Sequence, residues 1–119
     1  MKIKNLEIWP VTLKLSEPYT IAYETVSSVT NIFLRIETDK NINGCGCSAP
    51  DHEVTGETPE TVQQDFKSTI EPVLKGSDPL RIAAINEKLT EKLSKRPAAM
   101  ALVDMALYDI LGKVSGLPV

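Results

Sequence analysis

The pattern of hydrophobic and polar positions divides the chain into a strand-rich first part and a helix-rich second part. In the clearest strand, Ile32, Leu34 and Ile36 alternate with polar or outward-facing neighbours, and this period of two is typical of a strand with one buried face. The phase of the alternation changes at Trp9-Pro10, where we expect a bulge or an edge position, because proline cannot donate to a ladder. The pattern predicts three strands, over residues 2–15, 29–38 and 42–47.

Apolar residues recur with helical spacing in the second part of the chain. Thr58-Pro59 has the form of a helix start, with threonine as N-cap and proline in the first helical position, and Gly76 has the form of its stop. Pro72 should bend or tighten the end of this helix, because proline removes a backbone donor. Asp78-Pro79 repeats the start signal. The predicted helices cover residues 59–75, 79–94 and 97–119.

Three strands followed by three helices predict an α+β fold, in which a three-stranded antiparallel meander precedes three helices. Two polar stretches without a regular period, residues 16–28 and 48–57, are predicted as loops. On this interpretation residues 1–96 form one domain, and residues 97–119 form an apolar helix that leads away from it.

The final helix is apolar on nearly every side, and only Asp104, Asp109 and Lys113 interrupt its hydrophobic run. A helix of this kind is buried between two layers, and a chain of 119 residues has little to place on both sides of it. We therefore expect an apolar stripe within residues 98–111 that is exposed unless another domain or a second copy covers it.

Three leucines of this helix provide the test of that interpretation. If the strands and helices of the chain itself enclosed Leu102, Leu107 and Leu111, the helix would need no further partner. The isolated domain should otherwise dimerise, exchange its last helix with another copy, or aggregate.

Composition narrows the class of protein. The chain is 42% hydrophobic and 24% charged, which is typical of soluble globular domains, and its net charge of -3 argues against a nucleic-acid or anionic-membrane surface. We expect no bilayer-spanning segment and no signal peptide, and hence a cytoplasmic protein. Cys45 and Cys47 lie too close in a strand to pair comfortably, and we expect both to be buried small apolar residues.

The residues alone assign no catalytic group and no metal ligand. Gly44-x-Gly46 lacks the third glycine and the following helix of a dinucleotide-binding loop. Asp104 and Asp109 lie roughly 140° apart around a helix and cannot form a carboxylate pair. The cluster at residues 51–53 (Asp, His, Glu) could ligate a metal, but a surface turn is the favoured interpretation, because metal sites need groups from separate elements.

The final segment nevertheless resembles a known family. Asp104 to Asp109 (DMALYD), followed by Gly112-Lys113 and Gly116-Leu117-Pro118, is similar to the segment that leads into the barrel in the mandelate racemase / muconate-lactonizing branch of the enolase superfamily. Leu102 departs from this pattern, since members usually carry a small residue there. The order of strands and helices matches the N-terminal capping domain of that family.

Two further stretches carry the resemblance. The sequence NGCGCSAP resembles a G-x-G-E-x-x-P stretch of the family, with Cys47 in the place of the usual glutamate. The sequence PYTIAYETV and the residues Val54-Thr55-Gly56-Glu57 look most like dipeptide epimerases of the L-Ala-D/L-Glu type.

The resemblance implies a complete enzyme that removes a proton beside a carbonyl, with the cap folded over the mouth of a (β/α)7β barrel. The divalent metal, usually Mg²⁺, and the lysine bases would belong to the barrel, which is absent from this sequence. The 119 residues alone are therefore expected to be inactive. The implied partners are a small dipeptide substrate, the protein's own C-terminal barrel and further copies in a homo-oligomer, with no nucleic acid and no membrane.

The resemblance also implies that two polar loops of the cap contact the substrate. The residues implied in substrate binding are Tyr19, Glu24, Thr25, His52 and Val54. Related epimerases of acidic dipeptides carry arginine at the position of Glu24, so Glu24 would repel a substrate carboxylate and favour a neutral or cationic dipeptide. A solvated surface glutamate, and ordinary loop packing of Tyr19 and Val54, are the alternatives.

A function of another class fits the same pattern. The chain would then be a self-contained protein–protein interaction or dimerisation module without catalysis, whose final helix docks onto a partner or onto its own copy. A reading frame that continues past Val119 with acidic strand ends and a Lys-x-Lys strand would favour the enzyme, and a natural stop at Val119 would favour the module.

Overall fold

The computed structural model describes the backbone of residues 1–21, 24–50 and 56–116, and within these the side chains of residues 1–12, 30–50 and 56–116. The strands are β1 (Ile3–Ile21), β2 (Glu24–Thr38) and β3 (Asn43–Ser48). The helical elements are α1 (Pro59–Asp65), a π-helical turn (Phe66–Ile70), α2 (Glu71–Leu74), α3 (Ile82–Leu93) and α4 (Pro97–Ser115).

The described strands form one antiparallel sheet in the order β1-β2-β3, so the predicted α+β meander followed by helices is confirmed. Ile32, Leu34 and Ile36 are fully buried on one face of β2, as their alternation predicts. The apolar faces of the helices pack on that same side and complete one hydrophobic core, as the α+β layering of a sheet under helices requires.

The polar stretch 16–28, whose pattern predicts a loop, is instead largely strand. β1 continues to Ile21 and β2 begins at Glu24, and their backbones pair almost to the turn. The register shifts between Lys14 and Tyr19, where residues 15–18 of β1 stand against the single residue Ser27 of β2. Backbone pairing needs no hydrophobic alternation, so the ladder can continue where the apolar period of the sequence stops.

The change of phase at Trp9-Pro10 reflects an edge position and not a bulge. The register runs without a break from Asn5 to Lys14, and Pro10 pairs with Ile32 on a strand at the edge of the sheet. Because the register is unbroken, Trp9 is directed to the outer face of the sheet, where it is 38% exposed and stacks on Phe33 with ring centroids 5.9 Å apart. Trp9 therefore belongs to an aromatic pair on the outer face of the sheet, formed with Phe33 of the neighbouring strand.

The prediction that both cysteines are buried is wrong. Cys45 is exposed and Cys47 is half-buried, and both thiols are free. Each occupies a position of β3 that alternates with the buried Gly44 and Gly46, so the glycines and not the cysteines face the core.

The start of α1 agrees with the sequence prediction. Thr58 is the N-cap, Pro59 follows it, and Thr58 and Thr61 cap one another reciprocally through their side chains and backbone N–H groups. The turn before Pro72 widens into a π-helical turn and does not tighten, with the N–H of Glu71 donating to the carbonyl of Phe66. A wider turn accommodates the ring and the missing donor of a proline.

The later helix boundaries differ from the prediction at both ends. The helix predicted over 79–94 begins only at Ile82, because the Asp78 side chain accepts the N–H of Leu80 and forms a turn there. The final helix ends at Ser115, where Gly116 adopts a left-handed conformation with φ of 72°. Residues 117–119 of the predicted helix lie outside the described residues.

Candidate functional site

Three of the five predicted substrate-binding residues lie near the end of a two-stranded arm. β3 pairs with β2 only between Ile32 and Glu37, so beyond Ile32 the hairpin of β1 and β2 extends past the end of β3. Near its turn Tyr19 pairs with Val26, Thr20 with Thr25, and Ile21 with Glu24. The backbones of Tyr19, Glu24 and Thr25 are therefore close together, while their side chains lie outside the described residues.

The other two predicted residues, His52 and Val54, lie outside the described residues altogether. The described residues on either side of these two residues nevertheless show from which end of the sheet the segment starts. The chain leaves β3 at Ser48, which pairs with Ile32 at the base of the arm. It is described again from Gly56, directly before the buried Glu57. The second segment therefore starts at the same end of the sheet as the arm.

Glu57 holds the other end of that segment against α4. Its side chain is fully buried, with 0% exposure, and its carboxylate accepts the N–H of Ala98 at Oε1 (2.9 Å) and the N–H of Ala99 at Oε2 (3.1 Å). These amides belong to the first turn of α4, where backbone donors have no intrahelical acceptor. Sequence reasoning missed this role, because an acidic residue directly before Thr58-Pro59 has the ordinary pattern of a helix start.

A second carboxylate lies in the same region. Asp65, in α1, forms an ion pair with Arg96, and Nε of the arginine lies 3.3 Å from Oδ2. Burial raises the pKa of the Asp65 carboxyl; the Arg96 guanidinium opposes the rise and the Glu57 carboxylate adds to it. The start of α4 therefore meets two acidic side chains that are drawn from different elements.

The free edge of β3 is covered by side chains of α4. The backbone N–H of Cys45 donates to Asp109 Oδ2 at 2.9 Å, and that of Cys47 lies 3.3 Å from the Met105 sulfur. Lys113 donates to the carbonyl of Asn43 at 2.6 Å. Because these side chains recur four residues apart, they form a row along one side of α4 and satisfy an edge that would otherwise be open to pairing.

α4 also carries an exposed apolar stripe, which we define as Ala101, Met105, Tyr108 and Leu111 and which shares Met105 with this row. Met105 is 51% exposed, Tyr108 41% and Leu111 37%. Of the three test leucines, Leu102 and Leu107 are fully buried by the chain itself and Leu111 is not. The expected stripe is therefore present but narrower than the sequence suggested, since the sheet and α3 take up the other apolar residues.

The described residues bring together no group of three or more His, Cys, Asp or Glu side chains that could hold a metal ion. Within the same residues, no helix is long and apolar enough to cross a membrane. A groove of about 470 Å³ lies at the other end of the sheet, where Met1, Lys2, Arg81 and Lys88 line it. It is separated from the arm by the length of β1 and takes no part in the candidate site.

Comparison with known proteins supports the resemblance. The family described as mandelate racemase / muconate lactonizing enzyme, N-terminal domain, matches residues 3–119. An L-Lys-D/L-Arg epimerase from Desulforapulum autotrophicum is 42% identical over 118 residues, which cover 99% of this chain and 33% of the relative. The chain thus spans about a third of the length of the curated relatives it matches.

Solved structures show the same architecture. The N-succinyl Arg/Lys racemase from Bacillus cereus has a TM-score of 0.91 at 34% identity, over 97% of this chain and 31% of that one. A dipeptide epimerase from Methylococcus capsulatus, complexed with Mg and the dipeptide L-Arg-D-Lys, has a TM-score of 0.90 at 31% identity, over 98% of this chain and 33% of that one.

Proposed function

We propose that this chain, which belongs to the N-terminal domain family of mandelate racemase and muconate lactonizing enzyme, is a substrate-selecting cap. The enzyme that it caps is, in this proposal, an isomerase that epimerises dipeptides. Such an isomerase removes and returns a proton at the carbon beside a carbonyl. The relatives that bear epimerase and racemase names are about three times as long as the chain, which supports a second domain that supplies the chemistry.

The observation that carries the capping role is the exposed stripe on α4. Met105, Tyr108 and Leu111 form a contiguous apolar surface on a helix whose inner face is already packed. Surfaces of this kind mark a contact with another domain or another chain. In our proposal residues 1–96 form the body of the cap, while residues 97–119 complete it and carry the stripe toward the barrel.

In this proposal the chain selects the substrate and shields the reaction from water. The arm and the chain that follows Ser48 both leave the sheet at the same end, which supports a substrate site there, and residues near a substrate exclude water and contact its side chains. The described residues do not fit a Mg²⁺ site. We assign the Mg with which the Methylococcus structure is complexed to the barrel, and assign no catalytic residue to this chain.

We further propose that the substrate is a dipeptide with a basic side chain. Glu24 is the first residue of β2 and pairs with Ile21 beside the turn of the arm, so it lies at the end farthest from the core. A carboxylate there would attract a cation and repel an acidic substrate. The names of the L-Lys-D/L-Arg epimerase and of the Arg/Lys racemase support this choice. The free thiols of Cys45 and Cys47 suit the cytoplasm, where we place the enzyme.

The substrate proposal can be tested in a chimaera that joins residues 1–119 to the barrel of the Desulforapulum relative. Glu24→Arg should lower kcat/KM for L-Lys-L-Arg and raise it for L-Ala-L-Glu, because the charge at the end of the arm is reversed. The matched control is Glu91→Arg, which reverses an exposed charge on α3. If both variants kept the parental preference, Glu24 would be an ordinary solvated glutamate.

The second candidate is a self-contained interaction module, and the same stripe supports it. On that view the 119-residue chain self-associates through α4, and a Tyr108→Ser, Leu111→Ser variant should become monomeric in sedimentation experiments. The two functions differ in the chimaera. The cap restores turnover to a barrel, whereas the module restores none.

A further inference from the structure

The groove at the end of the sheet opposite the arm has no part in the proposed function. Its volume is about 470 Å³, which falls within the range of small-molecule sites, about 300–1,000 Å³. Its walls come from the start of the chain, the loop between α2 and α3, and the first two turns of α3. The lining residues that bear on its ligand are Lys2, Asp78, Arg81, Ala84, Ile85 and Lys88.

Backbone hydrogen bonds between these three parts of the chain hold the groove in shape. The N–H of Ile3 donates to the carbonyl of Ser77 at 2.8 Å, and the N–H of Gly76 donates to the carbonyl of Ile3 at 2.8 Å. The N–H of Arg81 donates to the carbonyl of Asp78 at 3.1 Å. A ligand would therefore bind between walls that are already ordered, and binding would not have to order them first.

The groove has an excess of positive charge, although the whole chain carries a net charge of -3. Lys2, Arg81 and Lys88 line it, and none of them forms an ion pair with a carboxylate within the described part of the chain. Asp78 is the one acid among the lining residues, all of which the structure describes, and its Oδ1 already accepts the N–H of Leu80 at 3.0 Å. Three cations thus face one carboxylate, so the groove favours an anion.

The spacing along α3 places apolar surface between two of these cations. Arg81 directly precedes the helix and Lys88 follows seven residues later, so the two lie on one side of it, about 10 Å apart along its axis. Ala84 and Ile85 lie between them and form an apolar floor. The N-terminus of α3 has no side-chain cap within the described residues, whereas Glu57 caps α4, so the partial positive charge of α3 adds to that of the side chains.

We propose that this groove binds a small molecule that carries a phosphoryl group, which Lys2, Arg81 and Lys88 hold, while its organic part lies on the apolar floor. Arginine matches phosphoryl oxygens with two parallel N–H donors, and lysine adds a compact charge. A dianion also suits three cations and one carboxylate better than a single carboxylate would. The groove lies at the other end of the sheet from the arm, so its ligand is independent of the proposed function.

The first experiment titrates the 119-residue chain with glycerol 3-phosphate and follows the amide resonances by NMR. The resonances of Lys2 and of residues 81–85 should shift to saturation, and Arg81→Gln and Lys88→Gln should each weaken binding about tenfold. The control Lys92→Gln removes the same charge at an exposed site of α3 outside the groove and should change the affinity less than about threefold. Shifts that do not saturate, or equal losses in Lys88→Gln and Lys92→Gln, would overturn the proposal.

The second experiment places a negative charge inside the groove. Ala84→Glu should abolish binding of glycerol 3-phosphate, because a carboxylate there repels the phosphoryl group and occupies the floor. Ala83→Glu is the matched control, since it adds the same charge one residue earlier and does not line the groove, and it should bind within about threefold of the parent. Both positions are exposed, so both variants should fold, which circular dichroism verifies. A folded Ala84→Glu variant that binds like the parent would overturn the proposal.

Two further probes identify the source of the anion. Succinate carries two carboxylates and no phosphoryl group, and it should bind at least about tenfold more weakly than glycerol 3-phosphate. Vesicles of phosphatidylcholine and phosphatidic acid present phosphoryl groups on a lipid surface, and the chain should not sediment with them. Equal affinity for succinate would make the groove a general site for dianions, and sedimentation with the vesicles would assign it to a lipid headgroup. Either result would overturn the proposal of a phosphorylated small molecule.

Discussion

Asp109 on α4 accepts the backbone N–H of Cys45 at 2.9 Å, although the two residues are 64 positions apart in the chain. The contact joins the last helix to the edge of the sheet. Met105 and Lys113 make corresponding contacts one turn to either side. The apolar run that dominates the sequence therefore has one side committed to β3 and the core and another that is left exposed.

Replacing Asp109 by alanine should lower the free energy of unfolding by about 1 kcal/mol, because the Cys45 N–H loses its acceptor and Lys113 loses its ion pair at 3.2 Å. Urea denaturation of the 119-residue chain measures the loss. Glu91→Ala, at an exposed site on α3, is the control and should be close to neutral. Equal midpoints for the two variants would show that the edge contact contributes nothing.

The close approach of α4 to β3 depends on two glycines. A Cβ at Gly46 would overlap the carbonyl oxygen of Leu102, and one at Gly44 would overlap that of Ala106. Gly46→Ala should therefore destabilise the chain by about 3 kcal/mol, because backbone atoms cannot move aside as a flexible side chain can. Thermal and urea unfolding both report the change.

The matched control for Gly46→Ala is Cys45→Ala, one position earlier on β3 and directed to the outer face. It removes an exposed thiol and introduces no clash, so its unfolding midpoint should stay near that of the parent. A Gly46→Ala variant as stable as Cys45→Ala would mean that the helix does not lie on the strand as described.

The raised pKa of Asp65 predicts how the stability of the chain changes with pH. Its pKa is raised in the folded chain by burial, so ionisation of this carboxyl opposes folding at neutral pH. The penalty is relieved as the pH falls through the raised pKa toward the ordinary carboxyl value of about 3.9. Relative to Asp65→Asn, the parent should therefore gain stability as the pH is lowered from 7 to 4, measured as the difference in unfolding free energy.

Asp39 should change the stability of the chain with pH in the opposite direction. A hydrogen bond from the backbone N–H of Lys2 lowers the pKa of the Asp39 carboxyl, so its ionised form favours folding, and that contribution is lost as the pH falls through the lowered value. The parent should accordingly lose stability relative to Asp39→Asn in strong acid. A parent that lost stability relative to Asp65→Asn between pH 7 and 4 would contradict the assignment for Asp65.

The sequence predicted the elements that have a regular period and one buried face. The alternation around Leu34 and the capping signal at Thr58 both identify their elements, because burial and capping leave marks on residue type. The strands beyond Lys14 were missed, since backbone pairing in a two-stranded arm imposes no alternation. The start of α3 was misplaced because Asp78-Pro79 suits a turn as well as a helix.

The candidate site was predictable only in part. The family resemblance indicates the stretches that hold Tyr19, Glu24 and Thr25, and the register brings their backbones together. Glu57 could not be recognised from sequence, because its partners Ala98 and Ala99 are backbone donors from a distant helix. The sequence predicted an exposed stripe on the last helix, but it predicted too many residues in it. Leu102 and Leu107 are not exposed, because they pack against the sheet and α3.

The most direct test of the capping proposal is exchange of the substrate α-proton with deuterated solvent by the chimaera of residues 1–119 and the Desulforapulum barrel. The capping proposal predicts Mg²⁺-dependent deuterium incorporation into L-Lys-L-Arg, with none from the barrel alone or from the 119-residue chain alone. A folded chimaera that incorporated no deuterium, while the barrel with its own N-terminal domain did, would contradict it.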